Sequence, residues 1–101
     1  MKIPQKIKAL LGFAKKSRQL FAGEKVVENC LKTNRAQLIL IATDFSEKRK
    51  RFFIEWCAEK RVPSFLLGTK EEYGKILGTT PRSLLAIIDK KMAEEICKYL
   101  S

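Results

Sequence analysis

Four consecutive cationic residues, Lys48 to Arg51, form an unbroken run of positive charge. Lysine and arginine side chains bind phosphate oxygens through charge-assisted hydrogen bonds, so such a run is typical of a nucleic-acid contact surface. The alternative is an ordinary solvated helix face, which most charge runs are. Because the run lies in the first turns of a predicted helix, where the helix dipole disfavours cations, its placement favours phosphate binding.

A second candidate anion site begins at Gly23, which opens a predicted helix. The first N–H groups of a helix have no partner within it and point outward, toward any anion that approaches. Lys25 and Asn29 are four residues apart, so they share one exposed face and can contact phosphates and base edges together. Lys32 lies on the same exposed side. The alternative is a plain surface helix stabilised by a Glu28–Lys32 pair, and the residues alone leave both interpretations open.

Catalytic chemistry has few candidates in this sequence. The chain has no histidine, so the usual general base is missing. Cys30, Cys57 and Cys97 are far apart and fall on the apolar stripes of predicted helices, which is typical of small hydrophobic residues rather than zinc ligands. Asp44, close to Ser46, is the one candidate carboxylate, and a single carboxylate beside a helix cap is more often structural. We therefore expect a non-catalytic protein without a metal or cofactor, with a small enzyme as the less favoured alternative.

The elements that position these residues are organised around one apolar stretch. Leu38–Ala42 has five consecutive apolar residues and predicts a strand buried on both faces, which requires helices on either side. Thr43 and Asp44 follow at its carboxyl end, where open α/β sheets bind their ligands. Leu84–Ile88 predicts a second fully apolar strand.

Helices and short strands alternate along the rest of the chain. The predicted fold is a single domain, a three-layer α/β/α sandwich with a mixed sheet of about four strands. Predicted helices cover Pro4–Lys16, Gly23–Thr33, Ser46–Lys60, a short segment from Thr69 whose end is broken up by Gly74 and Gly78, and a last helix capped by Asp89. Two further extended segments are predicted at Ser17–Phe21 and Ser64–Leu67. The predicted buried stripes include Val26, Val27, Cys30 and Leu31, then Phe53, Trp56 and Cys57, and finally Met92, Ile96 and either Tyr99 or Leu100.

The overall charge indicates the class of partner. Of the 101 residues, 21 are Lys or Arg and 11 are Asp or Glu, which gives a net charge of +10. Such an excess favours a polyanionic partner, of which nucleic acid is the commonest. An adaptor domain that uses the same basic face to bind an acidic protein is the alternative. Residues Met1–Pro4 lack the apolar core of a signal peptide, and no apolar run approaches the ~20 residues of a membrane span. We therefore expect a cytoplasmic, monomeric protein without a membrane partner.

A series of modest motifs follows in a fixed order. It consists of a glycine-led helix, an A-x-L strand, an x-V-P turn, an E-x-x-G-x-x-x-G stretch and a final apolar strand. These motifs lie at Gly23–Lys32, Ala36–Ala42, Arg61–Pro63, Glu71–Gly78 and Leu84–Ile88. Together they resemble the ribosomal protein L7Ae/L30e family. The stretch Leu10–Lys16 is similar to the corresponding segment of its small bacterial, YlxQ-like branch.

The resemblance implies an α/β/α sandwich that binds structured RNA, typically a kink-turn and here most simply ribosomal RNA. The family's RNA surface combines the start of the glycine-led helix, the end of the central strand and the loop before the last strand. On this chain those positions are Gly23, Glu24, Lys25, Asn29, Asp44, Thr79, Thr80, Arg82 and Ser83, flanked by the cationic Lys32, Lys48, Arg49 and Arg51. Val26 and the polar loop differ from many kink-turn-binding members, which favours general RNA binding over strict kink-turn specificity.

The charge leads to a first prediction. If RNA binding neutralises about four to six phosphates, a plot of log affinity against log salt concentration should have a slope of roughly −3 to −5. Filter binding or fluorescence anisotropy across a potassium chloride series would measure it. A slope near zero with retained affinity would contradict an electrostatic binding surface.

Overall fold

Nine elements alternate along residues 2–101, the part of the chain that the computed structural model describes. In chain order they are α1 (Gln5–Lys16), β1 (Leu20–Ala22), α2 (Glu24–Lys32), β2 (Leu38–Ile41), α3 (Glu47–Lys60), β3 (Ser64–Leu66), α4 (Lys70–Leu77), β4 (Leu84–Ile87) and α5 (Lys90–Leu100). Every residue of β2 and β4 is buried, as expected for strands made of uninterrupted apolar side chains.

The four strands form one mixed sheet in the order β1-β4-β2-β3. Strand β4 is antiparallel to both β1 and β2, whereas β2 and β3 are parallel. Because side chains alternate along a strand, Leu38 and Leu40 face one layer of helices, while Ile39 and Ile41 face the other. The first layer contains α1, α4 and α5, and the second contains α2 and α3. The predicted three-layer sandwich with a mixed four-stranded sheet is confirmed.

Side-chain caps start three of the helices. The Ser46 hydroxyl accepts a hydrogen bond from the N–H of Arg49 at the start of α3, and the Asp89 carboxylate accepts one from Met92 at the start of α5. Both caps are as predicted. At the start of α4, Thr69 and Glu72 bond reciprocally to each other's backbone N–H and form a capping box. Sequence reasoning missed this pairing, although its spacing is visible in the sequence.

Two predicted backbone features were wrong. The extended segment expected at Ser17–Phe21 begins only at Leu20, because Ser17 ends α1 and Arg18 turns the chain with a φ of +60°. Gly74 was expected to break up the end of α4, yet it lies inside that helix. A Cβ on Gly74 would meet backbone atoms of residues 79–81 at 3.0–3.1 Å, so the missing side chain lets the following loop pack against α4.

Several side chains at the margins of the buried stripes are less buried than predicted. Val26 and Trp56 are half-buried at the edge of the α2–α3 layer. In α5, Leu100 packs against the core, whereas the exposed Tyr99 ring lies under the ammonium of Lys6. Within residues 2–101, every helix is too short or too polar to cross a lipid bilayer.

Replacing the two glycines that lie inside helices, Gly74 and Gly12, by alanine should change the free energy of unfolding in opposite directions. Gly74→Ala should lower the free energy of unfolding by about 1–3 kcal/mol, because the added methyl meets backbone that cannot move aside cheaply. Gly12→Ala is the matched control in α1, where a Cβ would find no atom within 4 Å. That substitution should raise the free energy of unfolding by about 0.5–1 kcal/mol through helix propensity alone. Urea denaturation would measure both, and stabilisation by Gly74→Ala would contradict the packing argument.

Candidate nucleic-acid interface

Three segments that are distant in sequence meet at one end of the sheet. Because β4 is antiparallel to β1 and β2, it begins where both of those strands end. The N–H of Gly23 donates to the carbonyl of Leu84 at 2.9 Å, and the N–H of Ala42 donates to the carbonyl of Ser83 at 2.8 Å. A cavity of about 170 Å³ opens between the segments and is lined by Gly23, Glu24, Phe45, Pro81, Arg82, Ser83 and Leu84. We call this end of the sheet the Gly23 edge.

The start of α2 presents backbone donors and two polar side chains. Gly23 has a φ of +126°, a conformation that side-chain-bearing residues rarely adopt, and no side chain within residues 2–101 caps the helix. The first N–H groups of α2 are therefore available to an external acceptor. Lys25 and Asn29 are both exposed, on the side of α2 opposite the buried Val27 and Cys30. Lys32, one turn further along, is exposed as well.

Asp44 at the end of β2 has a structural partner. Its carboxylate accepts a hydrogen bond from the N–H of Lys70 at 3.0 Å, in the first turn of α4. A carboxylate at this position also interacts favourably with the helix dipole. The preceding Thr43 donates to the carbonyl of Gly68 through both its N–H and its hydroxyl, at 2.8 Å each. The end of β2 and the start of α4 are therefore held together, and Asp44 stays exposed at their junction.

The loop between α4 and β4 is braced by its own hydrogen bonds. The guanidinium of Arg82 donates to the carbonyls of Thr80 and Pro81 at 3.1 Å each, and also to the Thr80 hydroxyl. The Thr79 hydroxyl donates to the Thr80 carbonyl at 2.9 Å. The backbone N–H of Arg82 donates to the Lys70 carbonyl at 3.1 Å, which ties the loop to the start of α4. Thr79 and Thr80 are exposed on a loop whose conformation exists before any partner arrives.

The cationic run at the start of α3 is divided between two surfaces. Arg49 faces α2, where its guanidinium lies 2.6 Å from the Glu24 carboxylate and 3.7 Å from that of Glu28. The same guanidinium lies over the rings of Phe52 and Phe53, at 4.7 and 5.3 Å from their centroids. Arg49 is thus paired with acidic side chains of α2, while about a third of its side chain stays exposed.

The other members of the run have different surroundings. Lys50 forms an ion pair with Glu47 at 2.9 Å. Lys48 and Arg51 are exposed, and together with Phe52 they line a separate depression of about 350 Å³ on α3. Neither makes an ion pair within the part of the chain that the structure describes. The sequence motif of four adjacent cations is therefore not a single cationic surface, because successive helical residues point in different directions.

The three thiols lie away from the Gly23 edge. Cys30 and Cys57 are buried in the α2–α3 layer, and Cys97 is half-buried on α5. Burial raises the pKa of the Cys57 thiol to about 11 and also raises the pKa of Cys30, so both stay protonated at neutral pH. Within residues 2–101, no group of three or more Cys, Asp or Glu side chains is arranged to hold a metal ion.

Sequence reasoning missed two residues at this end of the molecule. Phe45 lines the cavity beside Gly23, and its position directly after Asp44 was a usable signal. Lys15, in the last turn of α1, donates through its ammonium to the carbonyl of Leu77 beside the loop. No local pattern indicates that contact, because the two residues are 62 positions apart.

Comparisons with known proteins match nearly the whole chain. The sequence profile of the ribosomal protein L7Ae/L30e/S12e/Gadd45 family matches residues 5–97. The RNA-binding protein YlxQ of Bacillus subtilis (strain 168) is 26% identical over 91 residues, covering 90% of this chain and 91% of that protein. The RNA-binding protein YlxQ of Enterococcus faecium is 28% identical over 91 residues, covering 90% of this chain and 87% of that protein.

Two solved structures share the fold at low sequence identity. A protein of unknown function from Bacillus halodurans C has a TM-score of 0.86 at 22% identity, over 90% of this chain and 92% of that one. The Giardia lamblia 15.5kD RNA binding protein has a TM-score of 0.80 at 16% identity, over 97% of this chain and 90% of that one. The arrangement of helices and strands is therefore common to proteins that share few residues.

The division of the cationic run leads to a prediction. Arg49→Gln should lower the free energy of unfolding by about 0.5–1 kcal/mol, because it removes a surface ion pair and a contact with two aromatic rings. Part of the loss should disappear at high salt, which screens the ion pair. Arg51→Gln, the matched control on the same helix, should change stability by less than about 0.5 kcal/mol. Equal effects of the two substitutions in urea denaturation would contradict the assignment of Arg49.

Proposed function

Because the chain belongs to the ribosomal protein L7Ae/L30e/S12e/Gadd45 family, we propose that it binds structured RNA through the Gly23 edge. The observation that carries the proposal is the meeting of the α2 start, the residues after β2 and the loop before β4 around one small cavity. The names of its relatives, RNA-binding protein YlxQ from two bacteria, support the same class of partner. The excess of 21 cationic over 11 acidic residues supports a polyanionic ligand.

Binding begins, in this proposal, with a phosphate at the start of α2. Backbone N–H groups and the helix dipole favour an anion there, and the ammonium of Lys25 adds a charge-assisted contact. Glu24 does not oppose the phosphate strongly, because Arg49 neutralises its carboxylate within the protein. Asn29, one turn along the same face, offers an amide that can donate to and accept from a base edge.

The proposed ligand is bent RNA of the kink-turn type, most simply a segment of ribosomal RNA. The deep, narrow major groove of a regular RNA helix is closed to side chains, so proteins read bends, bulges and unpaired bases. A rigid edge with a braced loop suits such a fixed shape, because little conformational entropy is lost on binding. Lys32, Lys48 and Arg51 are exposed cations that we assign to the flanks of this surface.

We propose binding without catalysis, because the groups at the Gly23 edge are suited to recognition. They are backbone amides, hydroxyls, an exposed lysine and an exposed asparagine. The carboxylates there are engaged, Glu24 in an ion pair and Asp44 in capping α4. Groups of this kind hold a phosphate and orient a base, and a reaction would require a general base or a metal in addition.

Lys25 provides the direct test. Lys25→Ala should weaken binding to a kink-turn RNA by about 1–3 kcal/mol, as expected for loss of a charge-assisted contact. The stability of the Lys25→Ala variant should equal that of the unmodified protein, because the Lys25 side chain is exposed. Lys91→Ala is the matched control, since Lys91 borders a cavity with Gln37 and Pro63 at the opposite end of the sheet. Isothermal calorimetry or anisotropy would measure the affinities, and equal losses for the two variants would contradict the assignment.

The shape of the RNA is tested with the unmodified protein. A kink-turn RNA should bind more than about tenfold tighter than an RNA of matched length in which a straight duplex replaces the kink. If the two RNAs bound equally well and binding still required Lys25, the protein would be a general RNA binder and the kink-turn assignment would be wrong. If the protein bound neither RNA but bound an acidic peptide, the proposed RNA partner would have to be replaced by an acidic protein.

A further inference from the structure

Positive charge is concentrated in the segment that contains α1. Residues 2–18 include six cationic residues and no acidic residue, so they hold 6 of the net +10 charges of the chain. Within residues 2–101, none of these six cations forms an ion pair, although the neighbouring α4 and α5 both contain glutamates. The surface of α1 therefore has a positive potential that attracts a polyanion.

The solvent side of α1 presents a continuous line of exposed side chains. In chain order, this line consists of Lys6, Ala9, Phe13 and Lys16, which are spaced by three or four residues. All four are exposed, and the buried residues of the helix lie on its other side. At a rise of about 1.5 Å per residue, the line spans about 15 Å. We call it the α1 stripe.

An aromatic ring lies within the α1 stripe. Phe13 is 62% exposed, more than any other large apolar side chain that the structure describes. Its neighbours Ala9 and Gly12 are small, and a Cβ on Gly12 would meet no atom within 4 Å. The ring is therefore accessible to a flat partner, which would remove apolar surface from water by covering it.

Helix stability explains only part of the charge on α1. Lys15 and Lys16 lie in the last turn, where the helix dipole favours cations, and the Lys15 ammonium donates to the carbonyl of Leu77. Lys6 lies in the first turn, where the dipole disfavours a cation and no acidic residue compensates it. The Lys6 ammonium lies 5.8 Å from the centroid of the exposed Tyr99 ring, which positions it at one end of the α1 stripe.

We propose that the α1 stripe binds an unpaired RNA strand, with one base stacked on Phe13 and neighbouring phosphates in contact with Lys6 and Lys16. Every base has a flat face, so stacking of this kind requires a base without selecting one. The α1 stripe lies in the layer of α1, α4 and α5, whereas Lys25 and Asn29 are on α2 in the other layer. This site goes beyond the proposed function, because it is a second RNA surface that does not include the Gly23 edge.

Other occupants fit the α1 stripe less well. A second copy of the chain would bring together two faces of the same charge. Binding to a membrane surface requires a wide apolar helix face, and the apolar side of α1 is already packed in the core. An acidic protein supplies negative charge, but it does not combine that charge with a flat group at every unit of its backbone, as RNA does.

The aromatic contact is tested with a fluorescein-labelled oligouridylate of about ten nucleotides, which has no stable secondary structure. Phe13→Leu keeps an apolar side chain but removes the ring, so it should weaken binding about tenfold in fluorescence anisotropy. Phe13→Tyr, the matched control, keeps the ring and should bind as tightly as the unmodified protein. Thermal melting verifies that both variants fold. Equal affinities of Phe13→Leu and the unmodified protein would overturn the proposed site.

The phosphate contacts are tested by the salt dependence of the same binding reaction. Replacing Lys6 and Lys16 together by glutamine should make the log–log slope shallower by about 1.4, because each phosphate contact of a single strand contributes about 0.7. The matched control replaces Lys60 and Arg61 by glutamine, which removes the same charge at the end of α3 in the other layer. That double variant should keep the slope nearly unchanged. Equal changes in the two double variants would indicate attraction by net charge alone and would overturn the site.

The failures of the two proposals are distinguishable. If the oligouridylate does not bind while Lys25→Ala still weakens binding to a kink-turn RNA, the α1 site is overturned and the proposed function stands. If the oligouridylate binds through Phe13 and no kink-turn RNA binds, the α1 site stands and the proposed function is overturned. If polyglutamate binds with the dependence on Phe13 that we expect for the oligouridylate, and the oligouridylate does not bind, an acidic protein replaces RNA at the α1 stripe.

Discussion

Two backbone hydrogen bonds at the start of β4 hold together the Gly23 edge, the surface that we propose binds RNA. One joins Gly23 to Leu84 and the other joins Ala42 to Ser83, at 2.9 and 2.8 Å. They exist because β4 lies between β1 and β2 and is antiparallel to both. Both faces of β4 are buried, so a shift of one residue would exchange the side chains of the two helical layers. The core therefore fixes the register, and the register fixes the Gly23 edge.

The loop before β4 is fixed at its end by the register of that strand, and it is further held by its own contacts. Gly74 allows residues 79–81 to approach α4 closely, and Arg82 bonds to the carbonyls of Thr80 and Pro81. A ligand that meets such a loop need not order it, so more of the interaction energy is retained as affinity. The cost of the arrangement is a glycine inside a helix, where alanine is intrinsically more favourable by about 1 kcal/mol.

Charge is distributed so that the start of α2 stays open to an anion. The net charge of +10 attracts a polyanion over the whole molecule, but a carboxylate in the first helical turn would repel it locally. Glu24 is such a carboxylate, and the pairing with Arg49 compensates its charge. Arg49 is itself held by contacts with Phe52 and Phe53. These two rings of α3 therefore help to position the charge that compensates Glu24 of α2. Lys25 is exposed, as its proposed contact with a phosphate requires.

The sequence by itself determined the elements of this protein and its class of fold. The apolar runs at Leu38 and Leu84 identify strands buried on both faces, and Ser46 and Asp89 mark helix starts, because these signals depend on neighbouring residues only. The tertiary structure alone decided the strand order, the capping of α4 by Asp44 and the ion pair between Arg49 and Glu24. The last two contacts join residues 26 and 25 positions apart, and no local periodicity encodes them.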